Sequence, residues 1–152
     1  MPEKINIGDT IPTFSLPDQH GKEVAIASKI GRPLVIYFYP KDDTPGCTKE
    51  ACSFRDQYDV FAEHGAEVIG ISSDSPQSHL AFAKKYNLNF TLLSDEKGKV
   101  EKLFGVPRSV LGLISGRVTY IVDKEGVVRH IFNSLFNAEK HVEEALRVIR
   151  SL

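Results

Sequence analysis

The sequence has no long apolar run, no block of like charge and only two cysteines, and each shortage removes a class of function. The longest purely apolar stretch is "LVIYFY", residues 34–39, far short of the roughly 20 residues a membrane helix needs. The formal net charge is −1, with 19 basic against 20 acidic residues, so no electrostatic footprint for nucleic acid appears. The opening "MPEKINIGDT" has neither the apolar core of a signal peptide nor the Arg- and Ser-rich bias of a transit peptide. Cytoplasmic residence is the expectation that follows. No internal repeat, low-complexity tract or linker is present, and 152 residues suit one domain with a real core, expected to span 1–152.

What is present reads as alternating strands and helices. "TFSLPDQHGKEVAI" predicts two short strands around a turn at Asp18 to Gly21. "PLVIYFY" is β-rich and continuous, the pattern of a strand covered on both faces. A helix is predicted over about Thr44 to Glu63, with Cys47, Ala51, Phe54, Tyr58 and Phe61 at helical spacing. "AEVIGIS" is a second buried strand. "SPQSHLAFAKKYN" is a helix with Ser75 as N-cap and Pro76 in its first position. "FTLLSD" and "GKVEKLFGV" predict a short strand and a short helix. "RVTYIVD" and "VVRHIFN" form a hairpin about Lys124-Glu125-Gly126, and "NAEKHVEEALRVIRSL" closes the chain as an amphipathic helix. The order β-β-β-α-β-α-β-α-β-β-α implies α/β, a mixed central sheet flanked by helices with an N-terminal hairpin, thioredoxin-like in plan.

Both cysteines fall in "YFYPKDDTPGCTKEAC", residues 37–52. Thr44 is expected at the N-cap, Pro45 at N1 and Cys47 at N3. A helix start carries unpaired N–H groups and partial positive charge. A cysteine placed there is enriched in thiolate, the nucleophilic form. Gly46 leaves approach open, so a small polar oxygen could share the same N–H groups. Cys52 lies five residues on, about 140° around the helix and about 8.7 Å away between Cα atoms. That exceeds the roughly 7 Å a disulfide tolerates. Either the two never bond, or the first turns of the helix unwind.

Two space-filling thiols would be the bland alternative, but packing alone does not need a Thr-Pro-Gly-Cys cap. Zinc needs four suitably spaced ligands; no Cys-x-x-Cys or His-x-x-x-His exists, and His20, His64, His79, His130 and His141 are scattered and expected at the surface. No metal and no cofactor are expected.

"YPKDDTPGCTKEACSFRD" resembles the active-site segment of peroxiredoxins, with Pro-x-x-x-Thr-x-x-Cys at Pro40, Thr44 and Cys47. Cys52 matches the peroxiredoxin Q, or bacterioferritin comigratory protein, class. "GDTIPTFSLPDQHGKEV", "GRVTYIVDKEGVV" and "FNAEKHVEEAL" extend the resemblance nearly end to end. The resemblance implies a thiol peroxidase acting on hydrogen peroxide and alkyl hydroperoxides. Cys47 would attack the peroxide and become a sulfenic acid. Thr44 would orient the peroxide, and Pro40 would shield the thiolate. Arg117 would stabilise the thiolate and bind the peroxide, Glu50 would position Arg117, and Cys52 would resolve the sulfenic acid as an intramolecular disulfide. Thioredoxin or glutaredoxin would reduce that disulfide, and a monomer or weak homodimer is expected. On residues alone Arg117 reads as a solvated strand-end arginine and Glu50 as an ordinary first-turn helix acid. "SVLGLIS", residues 109–115, is apolar enough to be core, a wall for an alkyl hydroperoxide, or a contact surface.

Two rivals remain at this point. A thioredoxin-like dithiol–disulfide oxidoreductase would require Cys-x-x-Cys. A redox-sensing or holdase module would use the pair as a switch without rapid turnover.

Overall fold

The computed structural model describes residues 4–109 and 114–152. The apolar wall or contact surface read into residues 109–115 centres on residues 110–113 and lies outside them. Strands β1 (Ser15–Pro17) and β2 (Glu23–Ala25) form the N-terminal hairpin. The Asp18 carboxylate closes its turn by accepting from the N–H groups of His20 and Lys22. A single 3-10 turn leads to β3 (Leu34–Phe38). Then follow α1 (Pro45–Asp56), α2 (Tyr58–Glu63), β4 (Glu67–Ser72), α3 (Pro76–Tyr86), β5 (Thr91–Ser94) and α4 (Lys99–Phe104). A two-residue ladder pairs β6 (Arg108–Ser109) with β7 (Ile114–Ser115). Last come β8 (Val118–Val122), β9 (Val128–Asn133) and α5 (Ala138–Ser151).

The main sheet has the order β5-β4-β3-β8-β9. β3, β4 and β5 run parallel, while β8 lies antiparallel to both β3 and β9. This is the expected mixed sheet, with β3 at its centre, and every residue of β3 is buried. Alternation along the strand splits the core in two. Val35 and Tyr37 face a layer built with Phe54, Phe61, Phe82, Val142 and Ile149. Leu34, Ile36 and Phe38 face Ile69, Phe104, Tyr120 and the N-terminal segment. No helix among the described residues is long and apolar enough to cross a membrane.

Ser75 caps α3 as expected: its hydroxyl accepts from the Ser78 N–H at 3.1 Å, with Pro76 next. One expectation fails. The helix predicted from Thr44 to Glu63 is two helices, interrupted at Gln57 (φ −98°, ψ 6°). Neither glycine nor proline marks the break. The bend brings Phe61 to Phe54, ring centroids 5.8 Å apart, and leaves Tyr58 only partly buried rather than in the stripe. Tertiary packing decides the break.

Phe54 anchors α1 to the sheet. Its ring stacks on Tyr37 at 4.6 Å and meets Phe90 edge-on at 6.4 Å. Phe54→Ala should destabilise the reduced protein by about 3–5 kcal/mol. Urea denaturation checks this, and a loss under about 1 kcal/mol would contradict the packing.

Candidate active site

β3 delivers the chain to Pro40, and residues 41–44 turn it into α1. Pro45 and Gly46 open the helix, and the next residue, Cys47, faces inward with Glu50, Ala51 and Phe54. The Cys47 residue is only 1% exposed. No side chain caps this helix start. Thr44 does occupy the N-cap position with extended backbone, but its hydroxyl donates to the Lys41 carbonyl at 2.9 Å. That correction has a physical cause: the carbonyl three residues back offers a competing partner. The first-turn N–H groups therefore receive no side-chain oxygen.

Arg117, immediately before β8, reaches across from the sheet. Its Nη2 donates to Cys47 Sγ at 3.3 Å, its Nη1 to Glu50 Oε1 at 2.6 Å and its Nε to the Leu135 carbonyl at 3.0 Å. It is buried, not a solvated strand-end arginine. Gly46 makes room for it, since a Cβ there would lie 2.9 Å from Arg117 Nη2. Burial opposes the charge on Arg117, but Glu50 and Cys47 more than offset this, and the guanidinium is held above its ordinary value.

Glu50 is fully buried, unlike the ordinary first-turn helix acid that its residue type and position alone suggest. Burial pushes its carboxyl up to about 8, against the pull of Arg117. Its second oxygen, Oε2, has no hydrogen-bond partner among the described residues. A carboxyl that stays neutral leaves the Arg117 charge to the sulfur; an ionised one competes for it.

Two histidines expected at the surface are fully buried here. His141 Nε2 donates to the Ser134 carbonyl at 2.7 Å, and Nδ1 lies 2.8 Å from Thr119 Oγ1. Nδ1 is also 3.7 Å from Glu50 Oε2. Burial holds His141 down to about 4, so it is neutral near pH 7. His79 Nε2 donates to the Leu93 carbonyl at 3.0 Å, and Nδ1 meets Asp42 Oδ2 at 2.7 Å. Both histidines lie on the inner stripe of their helices, His141 beside Ala138, Val142 and Ala145, His79 beside Phe82 and Ala83. That stripe was the available signal for their burial.

Asp42, Asp74 and His79 bring donor atoms within 4.8 Å of one another, a grouping that histidine spacing alone does not reveal. Those atoms are already engaged. Asp42 accepts from Tyr39 and Ser78 hydroxyls, and Asp74 Oδ2 from the Asp42 N–H and the Ser72 hydroxyl. The cluster seats the turn before α1 on α3 and needs no ion to satisfy it.

The structure thus gathers Cys47, Glu50 and Arg117 into direct contact, with Thr44 at the N-cap of the same helix. Pro40 is half-buried in the approach to the loop, and Cys52 is half-buried on α1; both cysteines are free thiols. A cleft lies at the other end of β3, lined by Pro33, His64, Asp123, Arg129 and Leu152. A thiol reached by two oxygen atoms needs no such volume.

A buried thiol under a guanidinium at the start of a helix, on a thioredoxin-like sheet, is the arrangement of a thiol peroxidase. The chain belongs to the AhpC/TSA family, whose model matches residues 7–131. Within it the chain falls with the peroxiredoxin Q and bacterioferritin comigratory protein group, antioxidant peroxidases. It is 54% identical to chloroplastic peroxiredoxin Q of Populus jackii, over 98% of this chain and 70% of that protein. The crystal structure of peroxidoxin BcpB from Mycobacterium tuberculosis superposes with TM-score 0.90 at 38% identity, covering 97% of this chain and 98% of that one. A Xanthomonas campestris bacterioferritin comigratory protein, solved in a study of its alkyl peroxide reduction, gives TM-score 0.81 at 29% identity over 92% of this chain and 98% of its own.

The expectation of cytoplasmic residence is overturned by the curated relatives, whose names place those proteins in the chloroplast. The physical reason is that compartment is written in address segments and not in the folded domain.

Because burial lifts Glu50 from an ordinary 4.5 to about 8, the folded state holds a proton that the unfolded chain has released. The stability from this group is complete below pH 4.5 and is lost as pH rises through about 8. Denaturant titrations of the reduced protein should show that decline, and Glu50→Gln should remove it. An unchanged pH slope in the variant would contradict a buried, protonated Glu50. Gly46→Ala should separately push Arg117 off the sulfur and slow the peroxide reaction by about tenfold or more. Stopped-flow peroxide consumption at unchanged fold checks it.

Proposed function

We propose that Cys47 is the peroxidatic nucleophile, reducing hydrogen peroxide and organic hydroperoxides, and that Cys52 resolves it. The observation carrying this reading is the 3.3 Å hydrogen bond from Arg117 Nη2 to Cys47 Sγ. A guanidinium donor at that distance orients the sulfur and sets a permanent positive charge beside the place where the peroxide oxygens must lie. The thiolate attacks the terminal peroxide oxygen, the O–O bond breaks, and the leaving alkoxide or hydroxide takes a proton as alcohol or water. The sulfur is left as sulfenic acid. Arg117 and the uncapped N–H groups of the α1 start face the charge that develops on oxygen. Thr44, its proton committed to the Lys41 carbonyl, keeps lone pairs with which to accept from the peroxide. Pro40 shields the thiolate, and Glu50 positions Arg117 from behind.

The thiol of Cys52 then attacks the Cys47 sulfenic sulfur, expelling water and forming the disulfide. With α1 intact the two Cα atoms stand about 8.7 Å apart, so the first turns of the helix open for this step. Thioredoxin or a similar dithiol such as glutaredoxin restores both thiols by exchange. Residues 1–152 act as one domain in this cycle. The near-complete burial of Cys47 also disfavours the rival protein-disulfide oxidoreductase, since a bulky protein disulfide cannot reach the sulfur of the intact site.

Cys47→Ser should abolish peroxide reduction. Cys52→Ser should consume one equivalent of peroxide and stop as a sulfenic acid, trapped by a dimedone-type reagent. Arg117→Ala should slow the peroxide step by about 10²–10³. Single-turnover and steady-state peroxide assays with thioredoxin and glutaredoxin supplied in turn make the measurement. Full turnover by the Cys47→Ser protein would overturn the assignment.

A further inference from the structure

The C-terminal turn of α3 holds both flanks of α1. On the N-terminal side, Asp43 sits in the left-handed region at φ +56°, which is uncommon for a residue with a side chain. Its carboxylate accepts from the Tyr86 hydroxyl at 2.7 Å and from Lys85 Nζ at 2.8 Å. Those two donors hold the Asp43 carboxyl below the usual carboxylate range. On the C-terminal side, Arg55 Nη1 donates to the Tyr86 carbonyl at 2.6 Å. One residue, Tyr86, therefore ties down the chain on both sides of Cys47 and Cys52. Its ring is itself fixed, edge-on to Phe82 at 5.5 Å.

These ties bear on the closing step. Between them lie residues 44–54, all but the first in α1. Helical chain rises about 1.5 Å per residue and extended chain about 3.3 Å. Unwinding between two fixed points adds length that can only bulge outward; unwinding with one point released lets the segment move as a flap. Among the described residues the hydrogen bonds and ring contacts of Tyr86 go to Asp43, Arg55, Phe82 and Lys85, none of them Cys47, Glu50 or Arg117, while its ring packs against the core layer that includes Cys47. The two hydrogen-bonded ties therefore weigh on opening rather than on the pocket.

We propose that Tyr86 is a positioning residue for resolution, a two-ended clamp that sets how fast the Cys47–Cys52 disulfide closes. This rests on the reading of Cys52 as the resolving thiol. Its chemistry is unchanged: Cys47 sulfenic acid and Cys52 thiol give disulfide and water. The clamp alters only how often the helix opens to permit it. Removing either tie should raise that frequency.

The test is stopped-flow peroxide oxidation of the parent, Tyr86→Phe and Arg55→Gln proteins, following sulfenic acid formation and disulfide closure as separate phases. Tyr86→Phe keeps the ring and deletes only the hydroxyl tie; Arg55→Gln deletes the other end. Closure should speed up about three- to tenfold in each, the scale of one typical intramolecular hydrogen bond at a solvated site. The first phase should be unchanged, and the urea midpoint of the reduced protein should fall by no more than the one lost bond accounts for, since the tie is absent from the opened and the unfolded chain alike. A slowed first phase together with a larger fall in the midpoint would mark a merely structural role and overturn the proposal. Closure at the parent rate or slower in both variants would overturn it too, while leaving Cys52 as the resolving thiol. If the parent forms no Cys47–Cys52 disulfide, the resolving role itself fails and the clamp falls with it.

Discussion

Arg117 is the residue on which the site turns. A buried guanidinium is costly unless its donors are used, and here three of its nitrogens are committed, to a sulfur, a carboxyl and a backbone carbonyl. Those partners come from different parts of the chain: Cys47 and Glu50 from α1, and Leu135 from the segment between β9 and α5. The sheet order puts β8 directly beside β3, so the start of β8 and the end of β3 meet at one edge of the fold. Gly46 supplies the last requirement, a helix turn without a side chain where the guanidinium passes.

Much of this was legible from residue types. Pro45 and Gly46 announce a helix start, and Ser75 with Pro76 announces another, because proline's fixed φ and missing N–H suit only those positions. The apolar β-branched runs marked β3 and β4 as buried strands, while their place in the strand order is seen only in the structure. What escaped depends on partners distant in sequence. The break at Gln57 has no breaker residue and follows from where Phe61 must pack. The Thr44 hydroxyl has two local acceptors or donors to choose from, and composition does not say which wins. Glu50 sits three residues beyond Cys47 on the inner face of α1, so the stripe itself foretold its burial; only Arg117, 67 residues away, makes that burial tolerable. His79 and His141 likewise occupy inner stripes, and their polar partners come from loops and strands that periodicity does not locate.

The site carries a conflict between its two thiols. In the proposed cycle the first step needs α1 intact, since the hydrogen bond from Arg117 and the helix start both depend on it. Bonding Cys47 to Cys52 needs the same turns undone. The surrounding contacts are graded accordingly. Phe54 is buried completely, and the turn before the helix is seated through Asp42 on His79, whereas the ties from Asp43 and Arg55 to Tyr86 are at or near the surface. Local opening draws on the weakly held elements of a fold, and here those elements flank the cysteines.

Amide hydrogen exchange across residues 45–55, compared between the reduced protein and the protein oxidised with one equivalent of peroxide, tests this account most directly. The reduced form should show slow exchange through the first turns of α1. The oxidised form should lose that protection while β3 and β4 keep theirs, and reduction should restore it. An intramolecular Cys47–Cys52 disulfide formed with protection across residues 45–55 unchanged would contradict the account.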